Sequence, residues 1–266
     1  MKLIKFGNFL FLTVFLLISC ETVPITGRSQ LSLVSDSEIN AMSFDQYRDF
    51  LSKNKLSNNA AQTKQVKNVG AKIANAVTRF FQNQGQSNQL AGYKWEFSLI
   101  ENKEVNAWCM PGGKVVVYTG MFSVVKNDND LAVVIGHEIA HAIADHGKER
   151  LSQELLTQMG GMALSAALSQ QPGTASSLFL NAYGIGTQVG ILLPYSRLHE
   201  SEADRLGLIF MTMAGYDPNA AVTFWQRMSQ TKKGSSTPEF LSTHPADATR
   251  INNIKGYIAE AMSYRR

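Results

Sequence analysis

The stretch VVIGHEIAHAIADHG, residues 133–147, sets His137, Glu138 and His141 inside an otherwise apolar run. Residues four apart on a helix share a face, so His137 and His141 can present both imidazoles to one point. Neutral imidazole is an ordinary zinc ligand, and two at this spacing need only one or two more donors. Glu138 flanks the same point, where it can take the proton of an attacking water. The pattern H-E-x-x-H therefore has the mechanics of metal-assisted hydrolysis, two ligands and a general base. Either histidine alone would pass as a satisfied core residue; the pair with a carboxylate between them points to a metal.

A further donor must come from an element able to face this helix. RLHESEADRLG, residues 197–207, is the most acidic short helix of the chain. Glu200 and Asp204 are four apart and share a face, whereas Glu202 points largely away. Glu202 is the rival third ligand, but Glu200 is preferred because its partner one turn on is a carboxylate able to orient a ligating imidazole. His146 falls nine residues after His137, half a turn away on a continuous helix, and His199 points away from Glu200. Both are expected to be structural or surface residues.

Other elements must hold these two helices together. SDSE at 35–38 reads as a capping box opening a helix that runs to about Asn54. Val66, Val69, Ile73, Val77 and Phe80 are spaced by three and four, which predicts a second helix. The period then changes: YKWEFSLI alternates Trp95, Phe97 and Leu99 with polar residues, as a half-buried strand does. EVNAWCM and KVVVYTG follow as strands joined by the turn residues Pro111, Gly112 and Gly113. After Asp128 the chain reads as helix, in segments near 130–151, 152–169, 175–193, 198–214, 218–230 and 245–263. The expected fold is α+β, mainly helical, with one small antiparallel sheet and the His-Glu helix at its centre. The segment from Ser177 to Leu193 is apolar and nearly uncharged, and reads as a buried helix, a flap over a cleft, or a helix lying on a membrane surface.

At 266 residues, 44% hydrophobic and 17% charged, the chain suits a single globular core. The formal charge of +4 includes Lys2 and Lys5; without the first 19 residues, 23 basic face 21 acidic side chains. That near balance, without a basic stripe, speaks against a nucleic-acid partner. MKLIKFGNFLFLTVFLLISC has a basic start and an apolar core too short for a comfortable membrane span, which is the layout of a secretory signal over residues 1–19. It ends in LISC, similar to the bacterial lipobox in which the cysteine, here Cys20, carries the lipid; an ordinary signal peptide or an uncleaved anchor is the plainer alternative. Glu21 follows, not the Asp that in some bacteria retains lipoproteins at the inner membrane, so an outer-membrane lipoprotein facing the periplasm is expected. Residues 20–35 are expected to form an extended tether ahead of a peptidase domain at 36–266. With Cys20 lipidated, Cys109 has no disulfide partner, and its setting in AWCMPGG suits a small buried hydrophobe.

Taken together, Cys20, PITGRSQL, NAW, HEIAH, ESEAD and THPADATRI resemble the HtpX/CAAX-prenyl-protease superfamily of zinc metalloproteases, and within it the periplasmic BepA/LoiP-like type. The matches run from Cys20 to Ile251. The resemblance implies a zincin-like fold with one Zn2+ per chain, held by His137, His141 and Glu200. Glu138 would act as general base and Asp204 would bond a ligand histidine. His244 of THPADATRI is implied near the zinc, either as a fourth ligand that shuts the site or as a donor to the oxyanion of the tetrahedral intermediate. VNAWCM resembles the edge strand on which such enzymes lay an extended substrate, with Asn106 and Ala107 in contact with it. The implied activity is endopeptidase cleavage of unfolded or misassembled envelope proteins, with docking on an outer-membrane assembly machine as a further expectation. The alternative keeps the zinc shut and uses the protein as a chaperone-like assembly factor.

Overall fold

The computed structural model describes residues 20–159, 166, 169–183, 196–231 and 238–265. The signal segment, the end of the 152–169 helix and most of the 175–193 helix lie outside them. Among the described residues, no helix is long and apolar enough to cross a membrane.

Helix α1 (Asp36–Lys53) starts as expected: Ser35 accepts from the backbone of Glu38, whose side chain returns to Ser35. Such a cap contributes about 1 kcal/mol. Helix α2 (Ala60–Asn83) buries Val66, Val69, Ile73 and Val77, but Phe81 takes the fully buried place expected of Phe80.

Strands β3 (Glu96–Ile100), β4 (Ala107–Met110) and β5 (Lys114–Tyr118) form a sheet in the order β3-β5-β4. The β4–β5 hairpin turns through Gly112 and Gly113 at φ of 72° and 82°, a region that favours glycine. β3 pairs with β5 in parallel, so the sheet is mixed where an antiparallel one was expected. Local alternation defines each strand, but the order depends on how the chain crosses between them. β3 is not half-buried either. Ser98 is buried and hydrogen-bonds Tyr47 of α1 at 2.8 Å, because helices cover both faces of the sheet.

The two faces belong to separate apolar clusters. Phe97, Leu99, Ala107, Cys109, Val115 and Val117 face α2 and the helices that carry HEIAH and ESEAD, whereas Trp108, Met110, Val116 and Tyr118 face α1. Cys109 is the small buried hydrophobe expected, and burial pushes its thiol well up.

Helix α3 (Asp128–Ile143) carries HEIAH and is buried from Asp130 to Ile143. Asn127 caps it, and Asp128 and Asp130 suit the positive end of its dipole. The expected helix 130–151 is broken: Asp145 adopts φ of 53° and α4 (His146–Met159) begins in a new direction. Then come α5 (Pro172–Ala182), α6 (Arg197–Met213), α7 (Ala220–Thr231), α8 (Glu239–Thr243) and α9 (Ala248–Ser263). The helix expected from about 245 begins later: His244 closes α8, and α9 is capped by Asp247.

Residues 20–31 are not an extended tether. β1 (Cys20–Thr22) and β2 (Ser29–Leu31) form an antiparallel ribbon, with Val23 buried in the core.

Candidate metal centre

The site forms where α3 crosses α6. Gly136 and Gly207 meet there so closely that a Cβ on Gly207 would sit 2.9 Å from the backbone nitrogen of His137. This contact brings the HEIAH face against the ESEAD face. Ser196 caps α6 by accepting from the His199 backbone, which fixes Glu200 in the first turn.

Four donor atoms converge. His137 Nε2 lies 3.1 Å from His141 Nε2 and 3.2 Å from His244 Nδ1. Glu200 Oε1 lies 2.9 Å from His244 Nδ1 and 3.3 Å from His141 Nε2. All four residues are buried. Donors about 2.0–2.2 Å from a tetrahedral zinc are separated by roughly 3.3–3.6 Å, so this set, at 2.9 to 3.3 Å, would need to part only slightly to hold such an ion. Three imidazole nitrogens and a carboxylate converging on one buried point satisfy one another poorly by hydrogen bonds alone. The donors are the nitrogen and oxygen types that zinc accepts. Glu138 Oε1 is buried without a hydrogen-bond partner, 3.5 Å from His244 Nε2, as a base awaiting a proton would be. Burial raises the Glu138 carboxyl above its ordinary value, against the pull of His244 and His137.

The supporting residues divide by ligand. His137 Nδ1 faces Asp204 Oδ1 at 3.0 Å, as expected of Asp204. Arg250 of α9, which sequence reasoning missed, grips Asp204 through two contacts of 2.8 Å and reaches Glu200 Oε2 at 2.8 Å. Its guanidinium lies 3.5 Å over the Trp225 ring, and Trp225 packs edge-on to His137. The only hint was its place inside THPADATRI. Burial would raise the Glu200 carboxyl, but His244, Arg250 and the two ligand-face histidines hold it well below the usual carboxylate range.

His146 and His199 are structural rather than surface residues, and only the expectation that His146 points away on a continuous helix is overturned. Because α3 stops at Ile143, His146 turns back and its Nδ1 lies 2.9 Å from His141 Nδ1, fully buried. Its Nε2 lies 2.9 Å from Glu202 Oε2. Burial lowers its basicity to about 4, so it is neutral. His199 is buried, stacks on His146 and pairs with Glu149 at 3.0 Å. Glu202 thus serves His146 and takes no place among the four donors.

Asn106 and Ala107 lie at the start of β4, an edge of the sheet packed on α3. The Ala107 N–H donates to the Asn106 side-chain oxygen at 2.8 Å, and Phe240 of α8 donates to the Val105 carbonyl at 3.1 Å. The segment that carries His244 therefore sits against the beginning of the edge strand.

The sequence profile of peptidase family M48 matches residues 61–258, nearly three quarters of the chain. Mitochondrial metalloendopeptidase OMA1 of Schizosaccharomyces pombe is 33% identical over 249 residues, covering 92% of this chain and 68% of its own length. OMA1 of Arabidopsis thaliana is 36% identical over 165 residues, covering 62% of this chain and 32% of its own. The beta-barrel assembly-enhancing protease of Escherichia coli is 30% identical over 247 residues, covering 89% and 47%. This chain belongs to peptidase family M48 and is by class a zinc metalloendopeptidase. Mitochondrial and bacterial relatives match at similar identity, so the likeness carries the family and not the envelope type.

Proposed function

We propose that this protein is a lipid-anchored endopeptidase of the bacterial envelope that cleaves extended segments of unfolded or misassembled proteins around one zinc ion. The observation that carries this reading is the convergence of His137, His141 and Glu200 beside the unpartnered Glu138 carboxylate oxygen. When bound there, zinc supplies Lewis-acid polarisation of the scissile carbonyl and of a water. Asp204 holds His137 by its Nδ1, which leaves Nε2 for the metal. Glu138 accepts the proton of the attacking water and returns it to the leaving amine. An extended substrate adds to β4 at Asn106 and Ala107, so that main-chain hydrogen bonds place the carbonyl with little regard to sequence. The envelope location rests on the apolar leader and LISC, with Cys20 at the exposed start of β1. A role beside an outer-membrane assembly machine is supported by the name of the Escherichia coli relative alone.

His244 favours a second state of the same enzyme. Its Nδ1 stands among the donors, where an attacking water would need to be, and its Nε2 faces Glu138. This placement supports the reading of His244 as a latch, and a protein held in that state would act as a chaperone-like assembly factor. The test uses residues 21–266 as wild type, Glu138→Gln and His244→Ala, each checked for one zinc and mixed with an unfolded protein. Glu138→Gln should keep zinc and lose cleavage; loss of both would take the base role from Glu138. His244→Ala should cut faster than wild type if it is a latch, and slower if it donates to the oxyanion.

A further inference from the structure

Each ligand histidine of α3 is braced from outside the helix, and the braces come from opposite regions of the chain. His137 is held by Asp204, itself gripped by Arg250 of α9. His141 is held by His146, whose far nitrogen meets Glu202 Oε2 at 2.9 Å. Glu202 in turn receives Arg28 Nε at 2.8 Å and the Thr26 hydroxyl, both from the turn between β1 and β2. Arg28 also pairs with Glu149 at 2.9 Å, and Glu149 holds His199, which stacks on His146. One guanidinium therefore joins both carboxylates that hold this stacked histidine pair.

The protons run in one direction along this chain of contacts. With Nε2 given to a metal, His141 would carry its proton on Nδ1 and donate it to His146 Nδ1, 2.9 Å away. The His146 Nε2–H then donates to Glu202, and Arg28 and Thr26 supply the remaining donors to that carboxylate. Removing Arg28 leaves Glu202 and Glu149 facing each other across the stack without a cation, and frees Glu202 to turn away from His146. Partners behind a ligand set its orientation and basicity, and their loss typically weakens metal binding by about 10–100-fold.

From this path we propose that Arg28, with Thr26, is a positioning residue for the metal centre, through which the docked N-terminal ribbon sets the grip of His141 on zinc. The inference rests on the reading of His141 as a ligand. A ribbon that is lifted from the body, or a chain that lacks it, would keep the HEIAH helix but hold zinc loosely.

The test measures zinc affinity by chelator competition, together with the visible absorption of the cobalt-substituted protein, in residues 21–266. Arg28→Ala should bind zinc about ten-fold more weakly than wild type and show an altered cobalt spectrum, with partial recovery in Arg28→Lys. Arg205→Ala is the control. It breaks the Arg205–Glu260 pair, also with contacts of 2.7 and 2.8 Å, elsewhere on α6, and should leave zinc affinity unchanged whatever it does to melting temperature. If Arg28→Ala fails to fold, Glu202→Gln keeps the side-chain shape and should show the same weakened binding. Wild-type affinity and spectrum in Arg28→Ala, or in Glu202→Gln, would overturn the proposal while leaving the metal site standing. A wild type that takes up no zinc would overturn the ligand reading and this one with it.

Discussion

At the scale of residues, the two histidines of α3 proposed as ligands are not equivalent. His137 meets a carboxylate directly, whereas His141 meets one only through a second imidazole. A carboxylate in direct contact is the stronger orienting partner, because its charge favours the N–H donor and deepens the ligand's basicity. Asp204→Asn should therefore weaken zinc binding by roughly 10–100-fold while the fold persists, read by chelator competition against wild type. Unchanged affinity would mean that Arg250 and Glu200 position His137 without it. Periodicity made the shared face of His137 and His141, and that of Glu200 and Asp204, legible in the sequence, while their assignment to one metal came from the resemblance. His146 was not legible, because its placement depends on one residue: Asp145 at φ of 53° ends the helix a turn before His146 would have pointed away. Nothing local marks Asp145 as the break, although Asp adopts that region more readily than most residues.

At the scale of elements, the site exists because α3 and α6 touch backbone to backbone. Gly136 and Gly207 have no role in chemistry, yet they set the distance between the histidines and Glu200. Gly207→Ala should force the two helices apart, cost about 1–3 kcal/mol as overpacking, and weaken zinc binding in the same variant. A melting temperature that falls while zinc affinity holds would show that the donors can follow the displaced helix. The elements themselves were mostly legible: the capping box of α1, the glycine turn between β4 and β5 and the apolar face of α2 all rest on short-range rules. The parallel pairing of β3 with β5, and the ribbon at residues 20–31, depend on contacts between distant segments, for which no local pattern speaks.

At the scale of the whole molecule, stability carries a pH signature from the break after α3. Asp145 lies near Glu21, Asp36 and Lys148; burial is the main influence, and it raises the Asp145 carboxyl to about 7 against the opposing pull of Lys148. A group whose folded pKa is raised contributes stability at low pH that is lost as pH rises from its unfolded value near 4 through about 7. Asp145→Asn keeps a neutral side chain suited to the left-handed turn. Its melting temperature relative to wild type should therefore climb between pH 4 and 8. Comparing the two proteins at each pH removes the opposite trend of Glu200 and Asp204, whose pKa values are lowered. A difference that stays flat across this range would show that Asp145 is ionised in the folded protein at low pH.

The braces at Arg28 and Arg250 have a bearing on when the enzyme becomes able to cut. Arg28 joins Glu202 across 174 positions and Arg250 joins Asp204, which holds His137, across 46. Contacts so distant must overcome the entropy of closing long loops and form late in folding. A chain still being made, or stopped short of residue 250, carries HEIAH but not the support that would keep a metal in its grip. Such a protease would gain its edge only once the segment through Arg250 has been made and folded, and so would spare copies still short of it.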